Sequence, residues 1–351
     1  VQLLHYHHNN NKYVLKKNEI VEAKKIIIAT GARPKIFPGM ESDGKQVITS
    51  KEAMVLKEPP KKMVIIGAGA IGAEFAYFYN EYGTEIHLIE MMPNILPIED
   101  EDISKEVEKS FKKSGIKIYK ETKVTQIEKL KTKVKVHAEK GKKKQIIDAD
   151  IVLIATGVKG NIENIGLEEI GVTSEKGAIK INEFNQTSVP NVYAIGDVSG
   201  PPWLAHVASA QGHVAVEHAS GHTTQPVDYT NIPGCTYCQP QVASLGMTEA
   251  IAKEKGIAIK VGRFDFRASG KALATGDSTG FVKIIFDAKY GELLGCHIVG
   301  SEATELIAEL GVAKALETTW QEIAMTVHAH PTLSEAVMEA ALDAFGQGVH
   351  Q

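Results

Sequence analysis

The stretch Lys61–Gly83, KKMVIIGAGAIGAEFAYFYNEYG, decides the fold of this chain. An apolar run, Met63–Ile66, leads into a turn with glycines at Gly67, Gly69 and Gly72, and a segment with helical spacing follows. The glycines match G-x-G-x-x-G. The first allows a tight turn, the second lets the backbone approach a pyrophosphate, and the third lets helix and strand pack closely. The stretch therefore predicts a strand, a turn and a helix that bind a dinucleotide.

The next apolar run, EIHLIE, ends at Glu90. A carboxylate there can accept hydrogen bonds from an adenosine ribose 2′-OH and would repel a 2′-phosphate. Met91 and Met92 follow, where a site for that phosphate needs arginines. The sequence therefore predicts NAD rather than NADP; a purely structural glycine turn would require three coincidences. Glu74, which we expect in the first turn of the helix, is either a ligand contact or an acid placed favourably near a helix N-terminus.

Three further apolar runs end in glycine signals and predict strands covered on both faces, as in parallel sheets. They are Ile26–Ala29, Ile151–Ala155 and Val192–Ile195. The first two continue into Thr-Gly, and this repeated IATG indicates two nucleotide-binding units of similar plan. The third ends at Gly196-Asp197, at the carboxyl end of its strand, where ligands bind in open α/β sheets. Downstream, PPWLAHVASAQG presents a helix start whose N–H groups can meet an anion or a ring carbonyl. Together these features indicate a second cofactor.

The predicted fold class is α/β: two Rossmann-like nucleotide-binding domains and a C-terminal α+β module. Residues 1–43 would be the remnant of a first nucleotide domain that is incomplete at its N-terminus, opening in a hairpin around Asn9–Asn11. A second, whole domain would span 44–159, and the chain would return to the first domain over 160–228. The alternating strands of GFVKIIFDAKYGELLGCHIVG and helices from Ala303, Trp320 and Leu333 would form the module 229–351.

Composition narrows the class of protein. The 351 residues carry a net charge of −4, with 43% apolar and 23% charged residues, as in ordinary globular proteins. This balance gives no reason to expect nucleic acid or an anionic membrane as partner, and no run of eighteen apolar residues occurs. Three cysteines do not make a secreted disulfide framework, so we expect a reducing compartment, the cytoplasm or a mitochondrial matrix.

The pair Cys235 and Cys238 in CTYC does not predict a redox or zinc site. We expect the segment to be a strand, which places residues three apart on opposite faces, with Cα atoms roughly 10 Å apart, too far for a disulfide. These thiols and Cys296 are predicted to be buried small hydrophobes. The tract HYHHNNN is predicted to be a solvated hairpin tip, and KGKKKQ another. No metal site is predicted.

The stretch HAHPTLSE, His328–Glu335, admits two interpretations from its residues. Thr332 and Glu335 have the spacing of a capping box, so in the first interpretation Glu335 only holds a helix N-terminus. Alternatively, a carboxylate beside His330 fixes the tautomer of an acid–base imidazole. The residues alone leave these interpretations even.

The chain resembles the flavin-dependent disulfide reductases over its whole length. The segments that carry the resemblance are IIIATGARP, VIIGAGAIGAEFA, LPIEDEDISKEVEKSFKKSGIK, VLIATGVKGN, NVYAIGDVSG, LAHVASAQG, IPGCTYCQPQVASLGMTE, GFVKIIFD and, most specifically, HAHPTLSEAVMEAA. The resemblance implies FAD and NAD as cofactors and a homodimer formed through the C-terminal module. Within the family it implies the branch that oxidises dihydrolipoamide and serves 2-oxoacid dehydrogenase complexes through their lipoyl domains. A glutathione- or mercuric-reductase-like enzyme and a non-catalytic NAD-binding fragment are the alternatives.

The resemblance also implies roles for single residues. The residues implied to hold NAD are Gly67, Gly69, Gly72, Glu74, Glu90 and Gly157. Those implied to contact FAD are Thr30, Gly31, Asp197 and the backbone of Leu204, Ala205 and His206. His330 would be the base that takes a proton from a dihydrolipoamide thiol, facing the flavin and disulfide of the other subunit, with Glu335 orienting it. The His330–Pro331 bond is expected to be cis.

The sequence departs from the family in two respects. The first flavin-binding glycine motif and the redox-active cysteine pair do not occur in these 351 residues, so we expect the chain alone to be inactive in the thiol step and to bind FAD poorly. Val207 and Gln211 also stand where the family has a lysine and an acid.

Overall fold

The structure, a computed structural model, describes residues 12–14 and 20–350. It divides into two compact units: one comprises the chain up to Lys35 together with Val158–Tyr229, the other Ile36–Gly157 together with Thr230–Gln351. The predicted four-part division at residues 43, 159 and 228 stays a prediction. The hairpin turn at Asn9–Asn11 and the neighbouring histidine tract lie outside the described residues.

The strands, in chain order, are β1 Lys12–Val14, β2 Ile20–Glu22, β3 Ile26–Ile28, β4 Ala32–Pro34, β5 Val47–Thr49, β6 Lys62–Ile66, β7 Glu85–Ile89, β8 Lys117–Tyr119, β9 Lys123–Lys129, β10 Val134–Lys140, β11 Lys143–Ala149, β12 Ile151–Ile154, β13 Val158–Gly160, β14 Ser174–Glu175, β15 Ala178–Ile179, β16 Val192–Ala194, β17 Gly234–Thr236, β18 Gln241–Gly246, β19 Ile259–Asp265, β20 Gly280–Asp287 and β21 Leu293–Gly300. The α-helices are α1 Ser50–Ala53, α2 Ala70–Glu81, α3 Glu101–Lys113, α4 Ala205–Ala219, α5 Glu249–Glu254, α6 Gly270–Thr275, α7 Ala303–Ala315, α8 Trp320–Met325 and α9 Glu335–Asp343. Short 3₁₀ turns span Gly196–Ser199, Tyr229–Asn231 and Phe266–Ala268.

The glycine-rich stretch lies at the centre of a five-stranded parallel sheet. Its order is β5-β12-β6-β7-β8. Ile66 at the end of β6 is in register with Ile89 and Ile154, so the carboxyl ends of the three central strands meet at one edge. Met63 and Val64, which point to opposite faces of β6, are both fully buried, and this confirms that both faces of the strand are covered. A strand order that places β6 between β12 and β7 puts the glycine turn beside Glu90.

A three-stranded antiparallel sheet, β11-β10-β9, follows α3 and β8 in the chain. Lys140 pairs with Lys143, so the turn of the β10–β11 hairpin lies at Gly141 and Lys142. The predicted lysine-rich hairpin tip is therefore confirmed.

In the other unit, β3 pairs in parallel with β16, and Ile28 is opposite Ala194. Ile28 is buried, but Ile27 is 38% exposed. The prediction that this apolar run is covered on both faces is therefore wrong in the described part of the chain. The helix α4, fifteen residues long, begins at Ala205.

The C-terminal part of the chain forms an antiparallel sheet, β17-β18-β21-β20-β19, with helices packed on it, so the α+β prediction is confirmed. The predicted alternation of buried and exposed residues is wrong, because all eight residues of β21 are buried. Both α7 and α3 contact this strand, which leaves little of it to solvent. The predicted helix from Leu333 begins at Glu335. In the described ranges, no helix combines the length and the apolar character that crossing a membrane requires.

Candidate cofactor and acid–base sites

The three glycines of the turn after β6 have different local environments. Gly67 has φ +99°, and a Cβ there would lie 2.4 Å from the carbonyl oxygen of Ala155. A Cβ on Gly72 would lie 1.9 Å from the carbonyl oxygen of Gly67. Gly69 is the N-cap of α2, and a Cβ there would meet nothing within 4 Å. The open side of the turn therefore faces the N-terminus of a twelve-residue helix without a side-chain cap, an arrangement that fits a pyrophosphate.

Glu90 lies directly after β7 and is 6% exposed. Its Oε2 accepts a hydrogen bond from the N–H of Ala68 at 2.7 Å, and its Oε1 accepts one from the N–H of Met92 at 2.8 Å. The carboxylate therefore braces the glycine turn. Each oxygen keeps a second lone pair that can accept a ribose hydroxyl. The ribose contact of Glu90 stays a prediction, and the bracing bonds were not predicted from the sequence.

Glu74 does not lie in the first turn of α2, which contains no acidic residue, so that part of the prediction is wrong. Instead, its Oε1 accepts a hydrogen bond from the N–H of Tyr237 at 2.9 Å. Burial raises the pKa of Glu74, and the Tyr237 bond partly opposes this shift. The contact spans 163 residues of sequence, which is why spacing alone could not reveal it.

Gly157 follows β12, at the same edge of the sheet. It has φ +96° and open space where a Cβ would lie. The implied NAD residues of this edge, the three glycines, Glu90 and Gly157, are all contributed by the ends of the three central strands.

The turn after β3 is held by Asn161. The hydroxyl of Thr30 donates to the carbonyl oxygen of Asn161 at 2.8 Å, and the amide of Asn161 donates to the carbonyl oxygen of Thr30 at 2.9 Å. The N–H of Asn161 also donates to the carbonyl oxygen of Gly31, which has φ +70°. Thr30 and Gly31 are thereby fixed, and Asn161 is a positioning residue that sequence reasoning missed.

Asp197 lies in the 3₁₀ turn Gly196–Ser199, immediately beyond β16. The turn is held by Gln211, whose Oε1 accepts from the N–H of Gly196 at 2.6 Å and whose Nε2 donates to the hydroxyl of Tyr229 at 2.7 Å. Gln211 and Val207, the two departures from the family pattern, are both buried. Both side chains therefore pack in the interior of this unit.

Leu204 is the N-cap of α4, and it makes no side-chain cap hydrogen bond. Ala205 and His206 form the first residues of this helix. The helix start and Asp197 follow the same strand, and a long helix with no side-chain cap fits the polar edge of a flavin or a phosphate.

The cysteine segment differs from the prediction. β17 contains Cys235 but ends at Thr236, so Cys238 lies beyond the strand and the argument from opposite strand faces is wrong. Cys238 and Cys296 are buried, Cys235 is half-buried, and all three are free thiols. Burial raises the pKa of each thiol, that of Cys238 to about 12, so they behave as hydrophobic groups. No cluster of three or more potential metal ligands occurs among residues 12–14 and 20–350.

His330 and Glu335 form a hydrogen-bonded pair. Nδ1 of His330 lies 2.9 Å from Oε1 of Glu335, and the imidazole is 78% exposed. The other oxygen of Glu335 accepts from the N–H of Thr332 at 2.9 Å, whereas the Thr332 hydroxyl donates to Ala329. The carboxylate thus holds an imidazole nitrogen and a backbone N–H. The predicted capping box is wrong, because Ser334 is the N-cap of α9 and the Thr332 hydroxyl makes no bond to the helix. The Thr332 bond and then the His330 bond lower the pKa of Glu335, which keeps it ionised. The His330–Pro331 bond is cis, as the resemblance implied.

A glycine turn at the edge of a parallel sheet, a second strand–turn–helix site and an outward imidazole paired with a carboxylate define an oxidoreductase with two nucleotide sites. Comparisons with known proteins agree. The family model described as pyridine nucleotide-disulphide oxidoreductase matches residues 2–212, and its dimerisation domain matches residues 232–341. The chain therefore belongs to the pyridine nucleotide-disulphide oxidoreductase family, and its cofactors are FAD and NAD.

Individual relatives resemble the chain closely. A dihydrolipoyl dehydrogenase of Rhizobium etli is 50% identical over 93% of this chain and 68% of its own length. A dihydrolipoyl dehydrogenase of Bacillus subtilis is 44% identical over 95% and 71%. Among solved structures, LpdA from Mycobacterium tuberculosis superposes with a TM-score of 0.87 at 28% identity, covering 94% of this chain and 72% of that one. The HOCl-induced flavoprotein disulfide reductase RclA from Escherichia coli has the same TM-score at 25% identity, covering 95% and 76%.

Proposed function

We propose that this chain is a dihydrolipoyl dehydrogenase, which converts dihydrolipoamide and NAD⁺ into lipoamide, NADH and a proton. The observation that carries the proposal is the His330–Glu335 pair, because it presents an imidazole to solvent with one nitrogen held by a carboxylate. The identities of 44–50% to dihydrolipoyl dehydrogenases, against 25% to RclA, support this substrate over that of another disulfide reductase.

In this proposal His330 takes the thiol proton at Nε2, while Glu335 holds Nδ1 and stabilises the imidazolium that results. The thiolate is the form of the substrate that exchanges with a disulfide. FAD, when bound, would supply the two-electron chemistry that links oxidation of the thiols to reduction of NAD⁺. The glycine turn, Glu90 and Gly157 would hold NAD, with Glu74 at the nicotinamide end. Thr30, Gly31, Asp197 and the start of α4 would hold FAD.

The proposal extends to assembly and location. A dimerisation domain over residues 232–341 supports a homodimer in which His330 faces the flavin site of the partner subunit. Cys235, Cys238 and Cys296 are free thiols with raised pKa values, so they do not supply the redox disulfide. We also propose that this chain works in a 2-oxoacid dehydrogenase complex and acts on the lipoyl domain of that complex. Free thiols fit the cytoplasm or a mitochondrial matrix.

The test is His330→Gln in FAD-loaded protein that also carries the family's redox-active cysteine pair, which does not occur in these 351 residues. Loss of a positioned base lowers turnover of dihydrolipoamide by roughly 10²–10⁴-fold. The affinity for NADH, measured by calorimetry, stays unchanged because the NAD site is built from other elements. A turnover rate near that of the unaltered protein would contradict the assignment of the base.

A further inference from the structure

His328, the first histidine of the His-x-His-Pro stretch, has both ring nitrogens engaged. Nε2 lies 2.7 Å from Oε1 of Glu309 on α7, and Nδ1 lies 2.9 Å from the backbone oxygen of Thr326. The side chain is 5% exposed. It therefore differs from His330, whose imidazole extends into solvent.

Both partners of His328 accept hydrogen bonds. A backbone carbonyl oxygen has no hydrogen to donate, and the Glu309 carboxylate accepts at Oε1. Each ring nitrogen of His328 must then donate, and an imidazole donates from both nitrogens only when it is protonated. The contacts of His328 thus require an imidazolium.

His87 illustrates the contrast. Its Nε2 also lies against a carboxylate, that of Glu85 at 2.8 Å, but its Nδ1 lies 2.9 Å from the hydroxyl of Tyr119. A hydroxyl can donate, so a neutral His87 satisfies both contacts. The difference between the two histidines lies in the second partner.

The loop that carries His330 is held at two places. His328 ties it to Glu309 on α7, and two residues later His330 is tied to Glu335 on α9. The charge of His328 adds to the Thr332 and His330 bonds that lower the pKa of Glu335. A fixed cation at His328 therefore supports the carboxylate that orients His330.

We propose that His328, bonded to an acceptor through each ring nitrogen, is held as an imidazolium whose contact with Glu309 positions the loop of His330. His328 is then a positioning residue and cannot itself take a proton from substrate. This inference rests on the proposed function, because it treats His330 as the base.

The first test measures protonation and needs no turnover. In FAD-loaded protein labelled with ¹⁵N-histidine, at about pH 7, NMR shows two protonated ring nitrogens for His328, assigned by the loss of these signals in His328→Gln. In Glu309→Gln, the neutral amide can donate to the ring, and His328 becomes a neutral tautomer. A neutral His328 in the unaltered protein would overturn the proposal.

The second test separates the two half-reactions by stopped flow, in FAD-loaded protein that also carries the redox-active cysteine pair. His328→Gln slows flavin reduction by dihydrolipoamide roughly 10–100-fold, as expected for a displaced catalytic group, while flavin reoxidation by NAD⁺ keeps its rate. The ring-nitrogen signals of His330 shift in the same variant. Glu309→Gln gives the same pattern with a smaller loss.

The matched control is His350→Gln. Nδ1 of His350 lies 2.7 Å from Oε1 of Glu339, also on α9 but outside the loop, and both half-reactions should be unchanged. If His328→Gln and Glu309→Gln keep the native rate of flavin reduction while His330→Gln loses it, the positioning role is wrong and the proposed function stands. If His330→Gln also keeps that rate, the proposed function fails.

Discussion

Oε2 of Glu90 lies 2.7 Å from the backbone nitrogen of Ala68, 22 residues earlier in the chain. This bond joins the end of β7 to the turn that follows β6, inside a parallel sheet whose register brings the two strand ends together. One carboxylate thus both shapes the phosphate-binding turn and stands where a ribose would bind.

We expect Glu90→Gln to weaken NADH binding. The amide has a single acceptor oxygen, so one of the N–H groups of Ala68 and Met92 is left buried without a partner, at a cost of about 1–3 kcal/mol. Calorimetry should show a dissociation constant roughly 5- to 150-fold higher. The control is Glu101→Gln, an exposed carboxylate paired with Lys105. Unchanged affinity in Glu90→Gln would show that the bracing bonds are dispensable.

We expect Gly72→Ala to lower the stability of the protein and Gly69→Ala to weaken NADH binding. The added methyl group at Gly72 would lie 1.9 Å from the carbonyl oxygen of Gly67, so α2 must move away from β6. Overpacking of this kind costs about 1–3 kcal/mol, which thermal unfolding would detect as a lower Tm. At Gly69 the methyl group meets no protein atom within 4 Å, and φ is −72°. Gly69→Ala therefore keeps its Tm but loses NADH affinity, because the methyl group would overlap the proposed position of the pyrophosphate. Equal Tm losses in both variants would contradict this division.

Sequence patterns predicted the local helices, strands and turns well, because these elements depend on residues that are neighbours in the chain. The apolar run before Gly67 could only be a strand of a covered sheet, and the glycine spacing could only serve a close turn. The lysine-rich hairpin tip and the helices from Ala303 and Trp320 followed from the same local rules.

The errors came from contacts between distant segments. Sequence spacing placed Glu74 in a first helical turn, but its partner, the N–H of Tyr237, is 163 residues away. The strand β21 was expected to alternate, but helices on both sides bury it. The contact between His328 and Glu309 links two helices and a loop, and no periodicity in the sequence points to it.

Lys283 is a buried cation whose removal should destabilise the protein strongly. Its Nζ lies 2.8 Å from Asp100 and 2.7 Å from Asp102, and it also pairs with Glu249. Lys283→Met leaves these carboxylates without their counter-ion, which costs about 3–5 kcal/mol for a buried pair. Guanidinium titration measures the loss. Lys283 and the exposed Lys253 line one cavity, and Lys253→Met should change the free energy of unfolding by less than about 0.5 kcal/mol. Equal midpoints for the two variants would contradict the buried-charge argument.

Glu99 should make stability depend on pH near neutrality. Burial raises its pKa to about 7, Ser244 opposes the shift, and repulsion from Asp100 adds to it. The folded state therefore binds the proton of the Glu99 carboxyl group more tightly than the unfolded chain does. The stability that this proton contributes is lost as pH rises from about 4.3 towards 7. Glu99→Gln removes this loss. At about pH 8 the variant should be more stable than the unaltered protein by about 1–3 kcal/mol, and at about pH 4 nearly equal to it. A difference that does not vary with pH in urea titrations would refute the assignment.

Gln211 should control flavin retention without contacting flavin. Gln211→Leu keeps most of the side-chain volume but removes the acceptor of the Gly196 N–H and the donor to the Tyr229 hydroxyl, so the turn that carries Asp197 loosens. An unpaired buried N–H costs about 1–3 kcal/mol, and flavin affinity should fall by roughly tenfold or more. Flavin fluorescence after dilution of the FAD-loaded protein measures the release. Ser209→Ala on the same helix loses an exposed hydroxyl bonded to Ala205 and should release flavin at the native rate. If both variants release flavin equally slowly, Asp197 is held by other contacts and the bridge through Gln211 serves packing alone.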